Sequence, residues 1–437
     1  MATKEQVVIK RARDEIEKRT GKTPEQLYEE REKRVVDAIA LKEPDRVPIF
    51  LTGGSFPASY AGLPQSAAFY DADAYREATI KTVLDFEPDM GNFANRGTDS
   101  GLAMEALDLK QFLWPGGPLR ADQGIQFIDM EMMKENEYDL FLTDPTDFVL
   151  RRYLPRAFGA LEPLSKLPPL GQSFVATGAF QHMMTSFFAE PGFQKAAKAI
   201  YQAVQEQRKF GEWGEEKVSA ATGTPPLTYP GGVGGAPYDF MADRLRGMSG
   251  IMIDMFKRPE KLHSAMEKIL EWRMARAVPA DPKKRGRRVS GGALHWGSEA
   301  FLTKKQYGTF YWPSWKKTLM ASIDLGFVPV PFCEGKFDDR IDHFLELPKG
   351  KAFIRFEVID MVRAKEILGG HLCIGGGVPY SLLCTGSPQE VEEYCKNLIK
   401  ACKKGGGFIL GSPGGIDDAK PANVKAMMDS AKKYGRY

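Results

Sequence analysis

Cysteine is scarce in this chain: five thiols serve 437 residues, and none precedes Cys333. Cys333, Cys373, Cys384, Cys395 and Cys402 form no CxxC and no even spacing, which excludes a secreted disulfide scaffold. Long apolar runs are missing as well. No stretch approaches the roughly 18 uninterrupted apolar residues that a membrane span requires, and the N-terminus, MATKEQVVIKRARDEIEKR, has no signal-peptide apolar core. The cytoplasm is therefore the expected compartment, with no membrane partner. An excess of one charge is also absent: 60 Lys and Arg against 57 Asp and Glu leave a net charge of +3. The longest basic run, KKRGRR from Lys283 to Arg288, reads as a solvated loop, so nucleic acid is not an expected partner.

Residues 1–44 read as a charged helical extension, with Val35, Val36, Ile39 and Ala40 at helical spacing before Pro44. Beyond it, apolar runs at 46–51, 90–93, 173–180 and 289–295 predict four strands. Residues 110–131 predict an inserted hairpin. Between 190 and 277 the pattern is mostly helical, and its interruption, TPPLTYPGGVGGAP, reads as too rich in glycine for a strand. Four regular units follow, with strands at 327–333, 352–357, 371–375 and 407–411. Eight strands alternating with helices predict an α/β protein of the (β/α)8 TIM-barrel class, occupying 45–437.

In such a barrel, chemistry collects where strands end. Tyr60, Asn92, His182, His295, Trp296 and Glu299 follow the first four strands; Cys333, Glu334, Glu357, Asp360 and Cys373 belong to the later ones. The pair Cys333 and Cys373, with 39 residues between, stands on alternate strands. Two readings satisfy that spacing: small core thiols, or soft ligands of a catalytic zinc completed by Glu299, His295, Glu334 or Glu357. The aromatic residues Trp296, Phe301, Tyr307, Phe310, Tyr311, Trp312 and Trp315 suit both a helix core and a flat aromatic ligand. The clusters Gly231–Gly235, Gly375–Gly377 and Gly405–Gly407 fit no phosphate-binding pattern and read as turns.

Three stretches carry a family resemblance: EPDRVPIF, APYDFMADRLRGMSGIMIDMFKRPEKL, and GGGVPYSLLCTGSPQEVEEYCKNLIKACKKGGGFILGSPGGIDDAKPANVKAMMD. Together they resemble the uroporphyrinogen decarboxylase superfamily over most of 30–435. That superfamily is a (β/α)8 barrel holding both decarboxylases and cobalamin-dependent methyltransferases. Decarboxylases carry RQAGR after the first strand to hold substrate carboxylates, whereas this chain reads LTGGSFPASYAGLP, without arginine. The coenzyme M branch uses His-x-Cys and a later Cys; Pro331, Phe332, Cys333 and Gly415 stand at those places.

Methyltransferase components of O-demethylase systems are more similar, with an acidic residue followed by Cys-x39-Cys. The resemblance implies zinc held by Cys333, Cys373 and Glu299, and acid chemistry from Glu334, Glu357 or Asp360. The residues that follow strands, Tyr60, Asn92, His182, His295 and Trp296, with Tyr311 of the aromatic cluster, are the expected substrate-binding residues. The implied reaction demethylates a methoxylated aromatic compound and passes the methyl group to Co(I) of cobalamin on a partner corrinoid protein. This chain lacks the D-x-H-x-x-G signature of corrinoid carriers; its Asp-adjacent histidine is Asp342-His343. Methylcobalamin:thiol methyl transfer, decarboxylation and a non-catalytic tetrapyrrole- or corrinoid-binding barrel are the alternatives, and a homo-oligomer is compatible with all of them.

Overall fold

A computed structural model describes residues 4–93, 100–169, 174–175, 178–211, 214–281, 287–412 and 414–437. The sheet runs in the order β2, β1, β9, β8, β7, β6, β5, and every pairing in it is parallel. Its strands are β1 (Ile49–Thr52), β2 (Met90–Asn92), β5 (Arg288–Leu294), β6 (Val328–Lys336), β7 (Phe353–Val358), β8 (Cys373–Gly377) and β9 (Phe408–Gly411). The predicted inserted hairpin is present as β3 (Phe112–Leu113) against β4 (Gln126–Phe127), which pair antiparallel.

The eighth stave, third in chain order, comes from the stretch read as too glycine-rich for a strand. Residues 225–229 bridge the two edge strands: Gly91 N donates to Pro225 O (3.1 Å), Leu227 N to Gly91 O (2.8 Å) and Tyr229 N to Arg288 O (2.6 Å). Pro225 and Pro226 have no N–H to offer, so this stave contributes few ladder bonds and shows little strand signal in sequence. Of the expected third strand at 173–180, none of the described residues lies in a strand. Residues 170–173 and 176–177 lie outside the described residues, and from Ala179 onward the chain is helix, Ala179–Ala189.

The floor of the barrel is plugged from below. Helix α1 (Lys4–Thr20) precedes helix α2 (Pro24–Ile39), which starts at a capping box between Thr23 and Gln26 with Pro24 in its first turn. From α2, Val35, Ala38 and Ile39 enter one buried cluster with Phe50, Met90, Leu227, Val330, Phe353, Cys373 and Ile409. Each of those residues from the staves points at the barrel axis, and burying Val35 and Ile39 there contributes about 1.5–3 kcal/mol apiece. Gly375 and Gly411 make room for this layer, since a Cβ on either would sit 2.6 Å from the ring of Phe353 or Phe50. Ion pairs tie the plug down. Glu32 meets Arg288 at the foot of β5 through two contacts of 2.8 Å, and Arg31 donates to Thr222 O, Gly223 O and Thr224 Oγ1 below the third stave. Among the described residues no helix is long and apolar enough to cross a membrane.

Candidate active site at the barrel mouth

Strand register decides which side chains share the barrel interior. Phe332, Arg355 and Gly375 are level and face the axis; one residue further, Leu294, Cys333 and Phe356 are level and face the helices. A further step along β5 and β6 returns His295 and Glu334 to the axis at the mouth. There His295 Nδ1 lies 3.1 Å from Asp243 Oδ2, and Nε2 lies 3.5 Å from Glu334 Oε2. Glu357, two residues beyond Arg355, accepts from Gly335 N at 2.7 Å and adds a further carboxylate beside Glu334.

Asp243 arrives from outside the strands. The helix Pro237–Met241, which carries Asp239, passes into a π-helical turn, Ala242–Arg246, which carries Asp243, and both aspartates face the end of β5. Trp296 Nε1 donates to Asp243 Oδ1 (2.6 Å), Trp296 N to Asp239 Oδ1 (3.1 Å), and Tyr311 OH to Asp239 Oδ2 (2.7 Å). Gln111 Nε2 reaches Asp243 O (2.8 Å), so the residue just before β3 helps hold the same turn.

These contacts set the charges. The hydrogen bond to Asp243 raises His295 to about 9 against the opposing effect of burial, and Glu334 assists. Burial pushes Asp239 up to about 7; Tyr311 OH opposes that shift and Asp243 reinforces it. Glu334 is also raised by burial, with His295 pulling the other way. The result is an imidazolium at neutral pH beside the carboxyls that stabilise it, an arrangement suited to delivering a proton to a ligand oxygen.

Of the residues singled out from sequence, His295, Glu334 and Glu357 meet at this mouth. Trp296 and Tyr311 brace its aspartates, and Asn92 lies exposed at the end of β2. The others do not join them. Tyr60 packs on Phe56 and gives its hydroxyl to Asp85 (2.9 Å) at the C-terminal end of helix Ala72–Phe86, outside the barrel and toward its floor. His182 is exposed on helix Ala179–Ala189 rather than following a strand. Asp360 caps helix Met361–Leu368, accepting from Val362 N and Arg363 N.

The expected metal site is not assembled. Cys333 is level with Phe356 and Cys373 with Phe353; three residues along one strand reverse the face, so the thiols point to opposite sides of the sheet, about 10 Å apart along it. Cys333 packs with the helix layer and Cys373 with the floor. Glu299 turns its carboxylate to Asp339 N (2.9 Å) and Lys336 Nζ (3.5 Å). Burial raises both thiols, so neither is poised as a thiolate. Among the described residues no group of three or more His, Cys, Asp or Glu side chains is arranged to hold a metal ion. The donor set thus fails to fit zinc.

Residues 227–434 match the family model of uroporphyrinogen decarboxylase (URO-D). This region, a little under half of the chain, is similar to the URO-D family. It supplies five of the strands and most of the third stave, together with Asp239, Asp243, His295, Glu334, Arg355 and Glu357; β1, β2 and the α2 plug precede it. A solved structure described as a methyltransferase from Methanosarcina mazei is similar in fold, with a TM-score of 0.56 and 13% identity over 92% of this chain and 98% of that one. No curated protein matches the chain in sequence.

Asp239, Asp243 and Arg355 were not foreseen as site residues. The two aspartates stand four apart within APYDFMADRLRG, a stretch that carried the family resemblance, and that spacing on one helical face was the available signal. Arg355 gave none, because an arginine inside a strand is visible as inward-facing only once the register is known.

Proposed function

We propose that the chain is a methyltransferase that demethylates a methoxylated aromatic compound and passes the methyl group to Co(I) of a corrinoid carried by a partner protein. The observation that carries this reading is the protonated His295, held between Asp243 and Glu334 at an open barrel mouth. Support also comes from the similarity to the URO-D family and from the fold shared with a protein described as a methyltransferase.

An aryl ether is a poor methyl donor because the departing oxygen gathers charge. A proton delivered to that oxygen as the C–O bond breaks removes the difficulty. The C–O bonding pair stays on the oxygen, which leaves as a phenol; the methyl carbon bonds to Co(I), which supplies the electron pair of the new bond. His295 Nε2 is the donor, since its 3.5 Å contact to Glu334 is loose enough for a ligand oxygen to replace. Glu334 and Asp243 then stabilise or reload the imidazolium. Thiol methylation would call for a metal-activated thiolate, and no feature of this mouth favours it.

The test is methyl transfer from a panel of methoxyarenes to a reduced corrinoid protein, followed by the absorbance of the methylated cobalt. Methylation that depends on the chain and the ether is the expected result. Consumption of methylcobalamin by thiols, with no methoxyarene active, overturns the reading.

A further inference from the structure

Strand β6 is irregular at the point where it carries Glu334. Cys333 is level with Phe356 of β7, but Lys336 is level with Val358, so β6 holds one residue more than β7 across this step. Glu334 and Gly335 together stand opposite Glu357. Such a β-bulge bends its strand and re-aims the side chain beside it. Gly335 makes the bulge possible. Its φ is +75°, and a Cβ there would lie 2.5 Å from Ser298 Oγ, so conformation and surroundings both call for glycine.

Both neighbouring strands pin the bulge. On the β5 side, Lys336 N donates to Ser298 Oγ (3.1 Å) and Glu299 N donates to Lys336 O (2.9 Å). On the β7 side, Gly335 N donates to Glu357 Oε2 (2.7 Å) instead of to a strand carbonyl. In an unbroken pairing Glu334 and Glu357 would face each other directly, where like charges repel. The bulge turns Glu357 onto the backbone and leaves Glu334 to meet His295 at 3.5 Å. Two carboxylates that look alike in sequence thus have different tasks: Glu334 is the partner of the histidine, and Glu357 holds the strand that presents it.

We propose that Gly335 and Glu357 are positioning residues of the acid site, because the bulge they form fixes Glu334 against His295 and so fixes where the imidazole presents its proton. This inference rests on the methyl-transfer reading above for the use of that proton.

The test is NMR titration of His295 in the full chain, which needs no substrate, followed by methyl-transfer kinetics. Glu334 helps to raise His295. Glu357→Leu removes the acceptor of Gly335 N, so it should lower the His295 pKa about as far as Glu334→Gln does. Glu357→Gln keeps a carbonyl oxygen for that N–H and should leave the titration near its wild-type position. Gly335→Ala, with Glu357 intact, should reproduce the effect of Glu357→Leu; if it does not fold, the two Glu357 variants decide alone. In methyl transfer, Glu357→Leu should lose about 10- to 100-fold in kcat with KM little changed, and Glu357→Gln should recover most of that loss. A His295 pKa unmoved by Glu357→Leu overturns the inference. So does an equal fall in the Leu and Gln variants, which would make Glu357 a charge acting on His295 rather than a support for Glu334. A fall in Glu357→Leu but not in Glu357→Gln, in a chain that methylates no corrinoid from any methoxyarene, supports the role of the bulge and rejects the methyl-transfer reading.

Discussion

His295 Nδ1 and Asp243 Oδ2 stand 3.1 Å apart, joining the end of β5 to a π-helical turn 52 residues earlier in the chain. That contact makes the histidine a cation over most of the physiological range. Because the folded pKa of about 9 lies above the ordinary histidine value of 6.5, the interaction stabilises the fold fully below about pH 6.5 and fades as pH rises through 9. NMR titration should find His295 near 9 and Asp243→Asn shifted back toward 6.5; an unchanged value in the variant would remove Asp243 as the cause.

Replacing His295 by Ala should lower methyl transfer by about 100-fold or more, the usual worth of a positioned general acid. His295→Gln should share the defect, and wild-type activity should fall above pH 9. Full activity in both variants would exclude this residue as the donor.

Asp239 obeys the same linkage in a lower pH window. Its carboxyl is raised to about 7 from an ordinary 3.8, so the unfolded chain ionises it first and stability declines between roughly pH 4 and 7. Asp239→Asn should flatten that part of the melting-temperature profile. Tyr311→Phe removes the hydroxyl 2.7 Å from Asp239 Oδ2, should raise the carboxyl further, and should cost about 1.5–3 kcal/mol in urea unfolding. A profile identical in all three proteins would show that Asp239 does not titrate in this range.

Native thiol labelling tests the placement of the cysteines. Cys333 and Cys373 are fully buried with raised pKa values, whereas Cys384 is half-buried. Cys384 should react with a thiol reagent well before either. Whatever zinc the purified protein carries should be unchanged in Cys333→Ala and Cys373→Ala; loss of metal in both would restore the ligand pair.

At the floor, Glu32→Ala leaves Arg288 buried without its bidentate partner. Removing one member of such a pair costs about 3–5 kcal/mol. Arg288 also donates to Pro226 O at 2.9 Å, so the third stave should loosen with it, visible as faster amide exchange at Leu227 and Tyr229. A loss below about 1 kcal/mol would mean that α2 is not an integral plug.

Local pattern determined much of this protein. Strong apolar runs and glycine turns placed seven staves to within a few residues, and His295, Glu334 and Glu357 were identifiable as residues near strand ends. Those signals are encoded in neighbouring residues, through side-chain period and turn chemistry. Tertiary structure alone decided the rest. Pro225–Tyr229 became a stave because two edge strands needed joining, against its own weak propensity. Cys333 and Cys373 do stand on alternate strands, but their relative level, and hence their face, depends on how β6 and β8 each register against β7, which no count of intervening residues contains. The same register turns Arg355 inward, and a widened helical turn brings Asp243 to His295 across 52 positions.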